Sequence, residues 1–109
     1  MNDNELDLSV RNSDGPGVVT VTAVGEIDSS NCTALQDLLT SLAENDAPRQ
    51  VHVDLAGVTF IDSSGLRALI VGERATSEAG GSLRVSAASD AVRRLFEITG
   101  LVDRLALGE

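Results

Sequence analysis

Asp54-Leu55-Ala56-Gly57-Val58-Thr59-Phe60-Ile61-Asp62-Ser63-Ser64-Gly65-Leu66 decides how this chain folds, because within thirteen residues its hydrophobic pattern changes period. Upstream, Val51, Val53 and Leu55 alternate with His52 and Asp54, the period-two signature of a strand, and the apolar run Val58 to Ile61 prolongs it. Downstream, Leu66, Leu69 and Ile70 share one helical face, and Gly80-Gly81 supplies the left-handed stop of a helix reaching about Ala79. Asp62-Ser63-Ser64-Gly65 therefore sits where a strand hands over to a helix, and small hydroxyls are presented at a helix N-terminus.

The flanks repeat this alternation of elements. Leu6, Leu8 and Val10 alternate with Asp7, Ser9 and Arg11; Ser13-Asp14-Gly15-Pro16-Gly17 is a dense turn signal; Val18 to Val24 is rich in β-branched residues. Residues 6 to 24 read as a hairpin that Gly25 ends or bends. Leu35, Leu38, Leu39 and Leu42 make a helical stripe, with Ser29, Ser30 and Asn31 as cap candidates and Pro48 marking its end. Leu83, Val85 and Ala87 form a fourth strand, and Ser89-Asp90 caps a last helix bearing Val92, Leu95, Phe96 and Thr99 before Gly100. Leu101 to Leu107 reads as a short edge strand. A hairpin followed by strand and helix in alternation requires right-handed crossovers and a mixed or mostly parallel α/β sheet. The 109 residues, without a linker or repeat, are expected to be one domain spanning 1–109.

Composition excludes several functions. The chain has 8 Arg and no Lys against 17 Asp plus Glu, a net charge of -9, so it lacks the clustered cations that nucleic acid or an anionic membrane demands. No apolar run approaches the roughly 20 residues of a spanning helix, and Met1-Asn2-Asp3-Asn4-Glu5 is no signal peptide; a cytoplasmic protein is expected. The single Cys32 has no Cys or His at metal-ligand spacing, and reads as a small residue on a partly buried helix face.

Catalysis finds little support. A serine nucleophile needs a base, and the one candidate, His52, belongs to the strand before the serines, facing away from them or toward solvent. No Gly-x-Ser-x-Gly elbow, phosphate-cradling glycine loop or cofactor signature occurs. The acidic pairs Glu26 with Asp28 and Asp54 with Asp62 have no spacing rule that joins them, so no metal is expected. Phe60 and Phe96 fall in apolar runs and read as core. Asp62-Ser63-Ser64-Gly65 has two readings: helix capping, or a phosphorylatable serine where free amides and the helix dipole tolerate a dianion.

Three segments together resemble the anti-sigma factor antagonists of the STAS domain family: Gly25-Glu26-Ile27-Asp28 after the second strand, Asp54 to Leu66 as the phosphorylation segment, and Val92 to Leu101 as the C-terminal helix signature. The resemblance implies a four- to five-stranded mixed sheet with helices mainly on one face. It implies a partner switch and no enzyme: the unphosphorylated antagonist binds an anti-sigma factor that is also a serine kinase, releasing a sigma factor. Phosphorylation breaks the complex, and a PP2C-type phosphatase restores it. By position the acceptor is Ser63, with Ser64 as second choice. Asp62, Gly65 and Leu66 would shape the loop and helix start that meet the kinase, and Glu26 and Asp28, in the loop before the first helix, would join the partner face. Arg67 stands where many antagonists carry glycine. The competing implication is a STAS binding module that does not cycle through phosphoserine, in a transport, lipid-trafficking or ligand-sensing assembly.

Overall fold

The computed structural model describes residues 6–12, 17–45 and 50–105. Its elements run β1 (Leu6–Asn12), β2 (Val18–Ile27), α1 (Cys32–Asn45), β3 (Gln50–Ile61), α2 (Ser63–Glu78), β4 (Ser82–Ala88) and α3 (Asp90–Thr99). The strands form one mixed sheet in the order β1-β2-β3-β4. β1 is antiparallel to β2, while β3 joins β2 and β4 in parallel through the crossovers that α1 and α2 provide. The α/β architecture expected from the order of elements is thus present, with four strands. Pro48 and the turn residues Ser13 to Pro16 lie outside the described residues.

One face of the sheet holds the core. Val21 and Ala23 of β2, Val51, Val53, Leu55 and Val58 of β3, and Leu83 and Val85 of β4 are buried there against Leu35 and Leu39 of α1, Leu66 and Leu69 of α2, and Val92 and Phe96 of α3. The strands supply alternate residues and the helices one stripe each, so both periods converge on a single apolar layer. Gly72 lets α2 approach α1: a Cβ there would lie 2.6 Å from Leu39 Cδ1. The other face carries polar residues in register, Arg11 beside Thr20, His52 and Arg84.

One expectation left open is decided and two need correction. Gly25 bends β2 without ending it: the strand continues to Ile27, with φ of 123° at Gly25, a conformation open to glycine, and register shifts on either side. Leu101 to Leu105 is not a strand but a turn whose buried Leu105 carbonyl accepts the β4 amide of Val85 at 2.8 Å; residues 106 and 107 lie outside the described ones. Phe96 is buried as expected, whereas Phe60 is 49% exposed. The reason is a bulge: Gly25 pairs with Val58 and Glu26 with Phe60, so Thr59 is an extra residue that turns Phe60 outward and leaves Ile61 inward. Among the described residues no helix is long and apolar enough to cross a membrane.

Candidate functional site

β3 delivers Asp62 to the start of α2 with extended backbone angles, φ -109° and ψ -172°, as an N-cap requires. Asp62 Oδ1 accepts the amides of Ser64 at 3.0 Å and Gly65 at 3.1 Å, together with the Ser64 hydroxyl at 2.6 Å. The Ser64 hydroxyl contributes most to holding the Asp62 carboxyl below its usual value, followed by the two amides, while desolvation opposes them. The two serines consequently differ. Ser64 is half-buried with its hydroxyl engaged; Ser63 is exposed, and its hydroxyl has no hydrogen bond among the described residues. The amides of Ser64 and Gly65, expected to be open to an anion, are already occupied by Asp62.

A second turn of the same design stands beside the first. At the end of β2, Asp28 Oδ1 accepts the amide of Ser30 at 2.9 Å and its hydroxyl at 2.6 Å, the Asp-x-Ser arrangement of Asp62 and Ser64 repeated. Asn31 fixes the entry to α1, its Nδ2 donating to the Glu26 carbonyl at 2.8 Å and its Oδ1 accepting from the Asp28 amide at 3.0 Å. Glu26 itself belongs to β2, so the loop starts later than the sequence indicated. The two turns are joined directly, because the Asp62 amide donates to the Ile27 carbonyl at 3.2 Å and Ile27 pairs in register with Ile61. Glu26, Asp28, Asp62 and Ser63 thus share one rim at the C-terminal ends of two parallel strands, where loops converge in open α/β sheets.

Gly65 and Leu66 lie inward of that rim. Both are buried, and a Cβ on Gly65 would lie 2.6 Å from Ile61 and 2.8 Å from Ile27, so these residues seat the helix start against β2 and β3. Arg67 is exposed and forms no ion pair among the described residues.

His52 and Asp54 are not brought to the rim. His52 lies nine residues before Ile61 along an extended strand, about 30 Å at 3.3 Å per residue, with its Nε2 3.0 Å from Gln50 Oε1. Asp54 accepts its own local amide, Ala56 N, at 2.9 Å. The one histidine is therefore remote from Ser63, and no group of three potential metal ligands occurs among the described residues. Cys32 opens α1, half-buried, as the sequence indicated.

Sequence reasoning overlooked a neighbouring apolar groove of about 210 Å³, lined by Phe60, Ile61, Ala91, Leu95 and Ile98 with Arg94. Ile98 is 74% exposed. The signal was available: Ile98 stands off the stripe of Val92, Leu95, Phe96 and Thr99 and had no core role to play.

The chain matches the family model described as "Mlab, STAS domain" over residues 9–108. It is 30% identical over 104 residues to an anti-sigma-B factor antagonist of Staphylococcus aureus, covering 95% of each chain, and 35% identical over 85 residues to that of Bacillus subtilis, covering 78% of this chain and 76% of the relative. Its fold superposes on the crystal structure of an anti-sigma factor antagonist from Mycobacterium paratuberculosis with a TM-score of 0.82 at 29% identity, covering 95% of this chain and 86% of that one. A strand-to-helix rim carrying Asp62-Ser63-Ser64-Gly65, set on a four-stranded mixed sheet and matched along nearly its whole length, places this chain in the STAS domain family.

Proposed function

We propose that this protein is an anti-sigma factor antagonist worked by a serine switch. Unphosphorylated, it binds an anti-sigma factor that is also a serine kinase and so frees a sigma factor. Phosphorylation of Ser63 ends the binding, and a PP2C-type phosphatase resets it. The protein is a substrate and a binder, not an enzyme. Relatives that carry the antagonist name along 95% of their length support the role.

The observation that carries the choice of residue is the contrast between the two hydroxyls: Ser63 is exposed and free to enter a kinase site, while Ser64 is held at 2.6 Å by the Asp62 carboxylate. The same geometry supports the off-state. A phosphate on Ser63 adds about -1.5 to -2 charge at neutral pH, and the nearest helix amides are already taken by Asp62. With Asp28 and Glu26 on the same rim, the new dianion meets carboxylates, and burying it against a partner costs several kcal/mol, tenfold in affinity for each 1.4 kcal/mol. Phe60 and Ile98 beside the rim add the exposed apolar surface that a protein partner covers.

The test is incubation with ATP-Mg and each anti-sigma kinase encoded in the same genome, read by intact mass, fragmentation and binding. One phosphate on Ser63, absent from Ser63→Ala and coupled to release of the kinase, supports the switch. Stable binding without phosphate replaces it with a non-cycling module. A hydrolase lost in His52→Ala would overturn both.

A further inference from the structure

Ile27-Asp28-Ser29-Ser30 and Ile61-Asp62-Ser63-Ser64 are the same four residues, and the fold sets them side by side. β2 and β3 are parallel, Ile27 pairs in register with Ile61, and each strand hands over to its own turn at that point. The turns agree bond for bond. Asp28 Oδ1 accepts the Ser30 amide and hydroxyl at 2.9 and 2.6 Å, and Asp62 Oδ1 accepts those of Ser64 at 3.0 and 2.6 Å. The Asp28 carbonyl accepts the Cys32 amide at 2.8 Å, as the Asp62 carbonyl accepts that of Leu66 at 3.0 Å. Ser29 therefore holds in the first turn the place that Ser63 holds in the second: it is exposed, and its hydroxyl has no hydrogen bond among the described residues.

Capping accounts for only part of this agreement. An aspartate ahead of a helix satisfies backbone amides, and the hydroxyl two residues on completes the turn. Ser29 contributes to neither. An exposed hydroxyl beside an engaged one is the contrast that favours Ser63 over Ser64, and it favours Ser29 over Ser30 in the same way.

We propose that Ser29 is a second phosphate acceptor for the kinase that modifies Ser63. This rests on the switch reading of Ser63, and on the recurrence of the four residues in register rather than on the helix start. In the transfer the Ser29 hydroxyl gives its proton to a base of the kinase, its oxygen bonds to the γ-phosphorus of ATP, and ADP leaves with the bridging oxygen. A kinase meets similar surfaces at the two turns, because what differs after them is withdrawn: Gly65 and Leu66 are buried, and Asn31 and Cys32 are half-buried. The difference it does meet lies three residues before each acceptor, where Phe60 is 49% exposed and its in-register neighbour is Glu26. An apolar contact is exchanged for a carboxylate that repels the phosphates of ATP, so Ser63 is modified first. Because α1 and α2 pack against each other, about 8 to 10 Å apart, a dianion already on Ser63 slows the second transfer further. Both acceptors share the rim with Glu26, Asp28 and Asp62, so a phosphate on either one opposes partner binding.

The experiment is a time course of wild type, Ser29→Ala, Ser63→Ala and the double variant with ATP-Mg and the cognate anti-sigma kinase, read by intact mass and fragmentation. Wild type should pass through one phosphate, on Ser63, to two. Ser29→Ala should stop at one, Ser63→Ala should gain one on Ser29 more slowly, and the double variant should gain none. With phosphoserine installed at position 29 of Ser63→Ala during translation, kinase binding should fall at least about tenfold. Circular dichroism checks the fold of each variant, and the count on wild type decides even where a variant misfolds. Phosphate on Ser63 with Ser29 unmodified in both wild type and Ser63→Ala would overturn the second acceptor and leave the switch standing. A second phosphate mapped to Ser30 would likewise overturn it, and phosphate on neither turn would overturn the switch as well.

Discussion

The Asp62 amide donates to the carbonyl of Ile27 at 3.2 Å, and this one bond ties the turn after β3 to the turn after β2. Two segments 35 positions apart in sequence become a single rim, and the packing beneath them is tight enough that only glycine fits at position 65. Residue identity at the rim and burial below it are therefore coupled.

Gly65→Ala should destabilise the fold by about 1 to 3 kcal/mol, since its methyl would meet Ile61 and Ile27 side chains at 2.6 and 2.8 Å, and a well-packed core resists added volume. Urea unfolding measures the loss. A fall of less than about 0.5 kcal/mol would mean that Ile27 and Ile61 repack freely.

Asp62→Ala should cost about 1 kcal/mol near neutral pH, the usual worth of an N-cap, while Asp62→Asn should cost less because its amide oxygen can still accept. The pH dependence has a definite sign. The folded carboxyl is held below its ordinary value, so its stabilisation is complete above about pH 4 and is lost as pH falls through the lowered value. Unfolding of wild type and Asp62→Ala should converge in that window; a gap constant with pH would remove the charge from the explanation.

The serines should separate in function. Ser63→Ala should retain kinase binding and accept no phosphate at that position, whereas Ser64→Ala should remain a substrate and lose only some of the helix cap, the 2.6 Å bond to Asp62. Phosphate transfer to Ser63→Ala at the wild-type rate would reassign the acceptor.

Arg67 lies one helical turn after Ser63, at the i, i+4 spacing of side-chain pairs, and has no ion pair among the described residues. With phosphoserine installed at position 63 during translation, the phosphorus NMR titration should give a lower second phosphate pKa in wild type than in Arg67→Ala. Identical titrations would show that Arg67 does not hold the phosphate.

The two phenylalanines offer a contrast within one residue type. Phe96→Ala should cost about 3 to 5 kcal/mol, being fully buried in the core. Phe60→Ala, at 49% exposure, should cost far less in stability and weaken partner binding instead. Thermal unfolding and binding to the cognate kinase distinguish the two, and equal thermal losses would contradict the bulge at Thr59.

Most elements were legible in the sequence because their periods are local. Alternation at Leu6 to Val10 and Val51 to Leu55, the stripe from Leu35 to Leu42, and Gly80 and Gly100 as stops all act through neighbouring residues. The same locality made the Asp62 cap readable. What the sequence could not determine depended on strand pairing. Only the register of β3 against β2 reveals the extra residue Thr59, and with it the outward turn of Phe60 and the continuation of β2 past Gly25. The union of Asp28 with Asp62 also came from tertiary structure, whereas the engagement of Ser64 by Asp62 is a contact two residues apart. Period and capping belong to the chain itself, because they rest on contacts a few residues apart. Register, bulges and the meeting of distant turns belong to the fold, because each depends on what the neighbouring strand presents.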